Sequence, residues 1–309
     1  MPVKSLAGLF IKVKLMSVFT IILIIILVGC YAVQNFFSKL YSASYKGAES
    51  AATPVFSVFY GLIIGLATFC YNGFSLHPDL FTLIIGILNG GALFLFNLSY
   101  INSSKTGPYS FQSMMVAFGN ILVPLACTLT LWGEKIKLIT IIGIVCMLAA
   151  FVLFNAKGLH FEDAKKGYWL WIVLVFLANG LYSEFIDAQS RHENGALHQE
   201  MIIITFLASA VISFIHLLIS QKGKLAPAFS MGGKAVLHMI LSSCGACVAI
   251  NLLMIVLETV SSTILFPVSG GSLLIVNALL SVIFLHEKLD AFRIAGIIVA
   301  AASLVIVNL

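Results

Sequence analysis

Two carboxylates, Glu184 and Asp187, stand three residues apart in "LANGLYSEFIDAQSR" (177–191), within an otherwise apolar block. An acid near the centre of a membrane helix costs about 2.5–3.5 kcal/mol on insertion scales, so it normally faces a cavity or a partner. Asp187 and Arg191 have the i,i+4 spacing, acid first, that favours pairing. Asp187 therefore reads as half of an interfacial ion pair near the water boundary. Glu184 lies deeper, about 7–8 Å along the axis from Asn179, where the segment is centred. A carboxyl withdrawn from water holds its proton more readily, which suits proton exchange. Glu184 is the candidate proton-coupling residue. The competing reading is a buried structural hydrogen bond, or a cluster shared with Arg191.

Other polar residues also interrupt apolar blocks: Asn89, Asn97, Asn120, Asn179, Asn251 and Asn277. Such side chains join helices at about 0.6 kcal/mol each, or they line a cavity. Asn97, Asn179 and Asn251 are the candidate substrate-binding residues among them. Tyr31 and Tyr182 occupy similar places in two related helices and could stack on an aromatic or cationic substrate; plain packing explains them equally. Ser269 belongs to "FPVSGGS" (266–272), where Pro267 and two glycines are expected to kink or unwind a helix beside a cavity. His216 could relay protons or pair across helices, whereas His238 sits near a helix end. Gly61xxxGly65 and Gly86xxxGly90 read as close-packing faces.

Catalytic constellations are missing. No HExxH pair occurs, "VSGGS" lacks the nucleophile-elbow pattern, and no Walker-type glycine loop is present. Cys244-Gly-Ala-Cys247 has no second ligand pair, so the six cysteines read as packing residues. No metal and no cofactor are expected, and the chain is not expected to be an enzyme.

The elements that must position these residues are membrane helices. The chain has 309 residues, 61% hydrophobic and only 9% charged, far below the quarter charged usual for soluble domains. Between Glu49 and Lys105 the one charge is Asp79, and Thr106–Gly133 and Thr259–Leu285 carry none. A span needs about 20 apolar residues. Ten are expected, near 16–36, 51–70, 80–99, 108–131, 138–155, 168–190, 200–219, 235–257, 262–285 and 291–309. The first follows Lys4, Lys12 and Lys14 like a signal peptide but shows no cleavage motif, so it reads as retained. A net charge of +5 needs no nucleic acid to explain it. The expected partners are the lipid bilayer and a small-molecule substrate, with the protein a monomer or a homodimer.

The longest polar connection, "NAKGLHFEDAKKG" (155–167), divides the spans into two sets of five, residues 1–157 and 158–309. Residues 131–155 align without gaps on 284–308, eight of 25 being identical, among them Glu134/Glu287, Lys135/Lys288, Gly143/Gly296 and Asn155/Asn308. A one-residue shift brings Asn97 onto Asn251. Five crossings are an odd number, so the second unit enters from the opposite side. The expected fold is an all-α polytopic membrane protein, ten transmembrane helices as two inverted five-helix repeats. Inverted repeats are typical of secondary transporters with a midplane site.

The "GEK" (133–135) and "HEK" (286–288) turns, each followed by a glycine-bearing final span, resemble those of the drug/metabolite transporter superfamily, and within it the EamA-type carriers. The 5+5 layout extends this resemblance over essentially the whole chain. It implies a central cavity lined mainly by spans one, three, four, six, eight and nine. It also implies movement of small metabolites or toxic organic molecules, commonly outward, without nucleotide hydrolysis. One departure is "YNGFSLHPD" (71–79), which offers only His77 where members carry basic residues.

The expectation is a proton- or gradient-coupled metabolite or drug exporter of the cell (plasma or inner) membrane, working by alternating access. An uptake carrier or exchanger of the same fold, or an intramembrane enzyme, is the alternative. The lysines before the first span favour both termini inside. The Lys+Arg count, six on that side against 11 on the other, favours the reverse.

Overall fold

The computed structural model describes residues 18–158, 164–192, 197–285 and 290–307. Ten α-helices follow one another: α1 Val18–Ser44, α2 Ala52–Tyr71, α3 Leu80–Thr106, α4 Tyr109–Thr130, α5 Leu138–Asn155, α6 Tyr168–Arg191, α7 His198–Ser220, α8 Gly233–Leu257, α9 Ser262–Leu285 and α10 Ala291–Val307. Among the described residues, the first nine are long and apolar enough to cross a bilayer, and α10 is a shorter apolar helix. Their lipid-facing sides are studded with exposed Ile, Leu, Val and Phe, which water would not tolerate over so large an area. The protein is a multi-pass helical membrane protein.

The helices pack as a set of pairs. α1 lies along α8 and touches α9; α3 lies along α6, which also lies along α4. α2 runs against α7, and α5 against α10. Glycines set these approaches. Gly61 and Gly65 of α2 meet Phe206, Leu207 and Ala210 of α7, while Gly86 and Gly90 of α3 meet Ile204, Thr205 and Ala208. Both small-residue faces therefore clasp one helix, α7, from two sides. Gly143 of α5 sits against Val307, and Gly296 of α10 against Ala150 and Phe154. Without side chains at these points the backbones come close enough for van der Waals contact to hold them in lipid.

Two helices outrun the spans expected from apolarity. α1 continues to Ser44 because its polar end packs on α8: Tyr41 is buried, and Ser44 Oγ lies 3.0 Å from His238 Nδ1. α3 continues to Thr106, with Ser99, Asn102, Ser103 and Thr106 donating back to carbonyls one turn earlier. α9 is helical throughout the Pro267 and Ser269–Ser272 region, so the expected unwinding is absent. Gly271 instead admits the Met147 side chain of α5.

Contacts between chain reversals sort into two ends. One end gathers the α2–α3, α4–α5 and α6–α7 connections, the other the α1–α2, α3–α4, α5–α6 and α7–α8 connections. The Glu134–Arg191 ion pair and the Asp79–His192 and His198–Glu258 contacts lie at the first, the Lys157–Asp290 pair at the second. The exposed Lys46, Lys157, Lys165, Lys166, Lys222, Lys224 and Lys234 are at the second, hereafter the lysine-rich end.

Candidate functional site

At the first end, α6 delivers its acids to the turn after α4. Gly133 has φ +62, a left-handed conformation that glycine adopts without steric cost. The chain there folds back, with Trp132 N donating to Cys127 O and Glu134 N to Thr128 O. That turn points Trp132 and Glu134 at α6. Trp132 Nε1 donates to Glu184 Oε1 at 3.1 Å, and the Cys127 thiol also reaches this carboxyl. Glu184 is buried, and its Oε2 has no hydrogen-bond partner among the described residues.

Arg191 gathers the rest. Its Nε donates to Asp187 Oδ2 at 2.7 Å, its Nη1 pairs with Glu134 Oε1, and its Nη2 reaches Ser262 Oγ at 3.5 Å. The guanidinium also lies over the Trp132 ring, 5.1 Å from its centroid. The expected Asp187–Arg191 pair is thus formed. It differs from a pair at the water boundary, because Asp187 is only 2% exposed. Ser262, the first residue of α9, reaches the Arg191 that holds it. Three carboxyls and one guanidinium share this cluster, and Glu184 is the one held by Trp132 rather than by Arg191.

Neighbouring polar contacts fasten the same end. Gln189 Nε2 donates to Thr82 Oγ1 at 3.0 Å, and Asn72 Nδ2 to Glu200 Oε1 at 3.1 Å. Asp79 caps α3, accepting from Thr82 N at 2.7 Å, and lies 2.6 Å from His192 Nε2. Hydrogen bonds from Thr82 lower the Asp79 carboxyl to about 2, with His192 contributing less. A depressed acid stabilises the fold above its unfolded value and loses that contribution as pH falls through its folded one. Hydrogen exchange should therefore show the first turn of α3 protected down to about pH 4 and frayed as pH approaches about 2. Asp79→Ala should show the frayed pattern at every pH.

The other candidates distribute as follows. Tyr31 of α1, Tyr60 of α2 and Tyr182 of α6 all pack against the same interior core. Gln34 Nε2 donates to Tyr60 OH at 2.9 Å. A narrow crevice beside them is lined by Asn89, Tyr182, Ile186, Thr205, Ile250 and Met254. Asn251 donates to Thr68 Oγ1 at 3.4 Å and to Cys247 O at 2.8 Å. Asn179 donates to Val116 O at 2.8 Å across the α4–α6 seam, where Ser183 also pairs with Asn120. Ser269 donates to Phe266 O at 3.2 Å. Asn97 is apart from this group, donating to Ser57 Oγ at 3.3 Å in a separate crevice between α2, α3 and α7. "HEK" (286–288) lies outside the described residues.

Trp132, Glu134, Tyr60 and Gln34 were not among the expected site residues. Glu134 carried a signal, in the "GEK" turn, but its partner is 57 positions away. Trp132 is the last apolar residue before that turn, with nothing local to mark it as a donor to Glu184.

No family model and no curated protein matches this chain. Solved structures are similar to this chain, among them a crystal structure with a TM-score of 0.73 at 16% identity, covering 93% of this chain and 98% of its own. At that identity the likeness speaks for the fold alone.

Proposed function

We propose that the protein is a secondary carrier of small organic solutes, of the drug/metabolite transporter type, in which two inverted five-helix repeats alternate access to a site between them. The observation that carries this reading is the packing pattern. Adding five to each helix number, cyclically, turns α1 on α8 into α6 on α3, and α1 on α9 into α6 on α4. It turns α2 on α8 into α7 on α3, and it leaves α2 on α7 and α5 on α10 unchanged. A ten-helix bundle without internal symmetry has no reason to map onto itself this way.

The same pattern favours two moving bodies, α1 with α8 and α9, and α3 with α4 and α6, hinged by the α2–α7 and α5–α10 pairs. These six helices are those that the family resemblance implies around the cavity. Tyr31 of α1 and Tyr182 of α6, one from each body, pack with Tyr60 of α2 against the common core and supply aromatic faces suited to an aromatic or cationic solute. Glu184 serves as the proton-coupling carboxyl, and the membrane is the cell (plasma or inner) membrane. The direction is outward by analogy with that family.

In proteoliposomes supplied with a mixed metabolite and drug panel, at least one organic solute should be taken up, and an imposed pH gradient should drive it. Glu184→Gln should keep solute exchange and lose the response to the gradient. Folded protein that moves no panel member would count against the carrier, and a fully gradient-driven Glu184→Gln would remove its coupling role.

A further inference from the structure

The crevice that holds Asn97 serves none of the roles described above. Its floor is α7, its walls are α2 and α3, and Thr53, Ser57, Phe94, Asn97, Ser213 and His216 line it. Each sits in the half of its helix nearer the lysine-rich end. Ser57 is five residues into α2, and Ser213 is seven and His216 four residues before the end of α7. These positions span depths of about 6–10 Å from the helix ends. Five of the nine lining residues carry a polar group, the other four being apolar.

Ser213 decides what fills it. The residue is 1% exposed, and its hydroxyl has no hydrogen-bond partner among the described residues. Ser and Thr in membrane helices commonly donate to a carbonyl one turn back, as Ser99 and Ser103 do here. Ser213 does not. A buried hydroxyl left alone forfeits about 1–3 kcal/mol, so such groups are usually met by an ordered water. The crevice has room for about one water, with polar partners around it. His216 stands at its outer part with its ring edge against Phe94, centroids 5.6 Å apart.

We propose that the α2–α3–α7 crevice is a hydrated side site: it holds water on Ser213 and opens His216 to protons from the lysine-rich end. No charged residue belongs to the lining; at this end the adjoining elements carry Glu49 in the short turn before α2, Lys105 in the last turn of α3, and Lys222 and Lys224 after α7. His216 and Glu184 belong to opposite ends of the bundle. This site does not depend on the carrier reading.

Two measurements test it, neither using transport. With the six native cysteines replaced by alanine, Ser213→Cys should react with a membrane-impermeant charged thiol reagent added from the side of Lys222 and Lys224. Only a hydrated thiol ionises, so it should react about tenfold or more faster than Val211→Cys, which is exposed on the outer face of the same helix. Reaction only with a lipid-soluble reagent would overturn the proposal, since the groove would then be lipid-filled. In the unaltered protein, hydrogen–deuterium exchange at the His216 ring carbon should follow the pH of that compartment. A rate independent of pH would equally overturn it, even if the cysteine variant misfolds.

Discussion

Arg191→Leu should be among the most damaging single substitutions in the chain, lowering stability by about 3–5 kcal/mol. The reason is Asp187, 2% exposed and held by Arg191 Nε at 2.7 Å. Removing the guanidinium strands a carboxylate that water cannot reach, and it also frees Glu134 and uncovers the Trp132 ring. The size of the effect follows from the stranded charge rather than from the pair's intrinsic strength, and this distinction can be tested. Asp187→Asn in the same chain should return much of the lost stability, because an amide costs far less to bury. Thermal melting of the detergent-solubilised protein would measure both variants. If the double variant melts no higher than Arg191→Leu alone, the damage comes from lost packing. The Lys157–Asp290 pair, at 3.9 Å with its lysine largely exposed, is the control: Lys157→Leu should leave melting unchanged, since screened surface pairs contribute little.

That cluster also marks the limit of what single-chain reading reaches. The helices were readable because each is a block of apolar residues bounded by charge or turn chemistry, and α5 begins and ends where its block does, at 138 and 155. Apolarity locates the bilayer, however, not the helix. α1 and α3 therefore run on past their spans wherever a neighbour satisfies their polar ends. The i,i+4 pair was readable because one helix supplies both partners. Its burial was not, because the depth of Asp187 along α6 says nothing of what packs around it. Trp132 to Glu184 spans 52 positions and Arg191 to Glu134 spans 57. Only the packing of α4 on α6 brings them together.

The packing of α4 on α6 rests on two glycines, and Gly119→Leu should undo it. A Cβ at Gly119 would overlap the Phe176 carbonyl, and one at Gly180 would overlap Val123 and sit 2.8 Å from Gly119 O. At Gly119 the obstruction is backbone, so no rotamer change relieves it, and the helices must part. Parting breaks Asn179 to Val116 and Ser183 to Asn120. One turn further on it withdraws Glu184 from Trp132. Overpacking of this kind costs about 1–3 kcal/mol before the lost hydrogen bonds are counted, and each of those adds about 0.6 kcal/mol. Gly119→Leu should therefore melt well below the parent and lose any pH-gradient response together with it. Gly29→Ala and Gly91→Ala supply the contrast, since a Cβ at either meets nothing within 4 Å. Alanine there only raises helix propensity, by about 0.8–1.0 kcal/mol in an exposed helix, so both should melt at or above the parent. A Gly119→Leu protein as stable as these two would mean that α4 and α6 do not cross where the glycines place them, and the assignment of Trp132 as the Glu184 donor would fall with it.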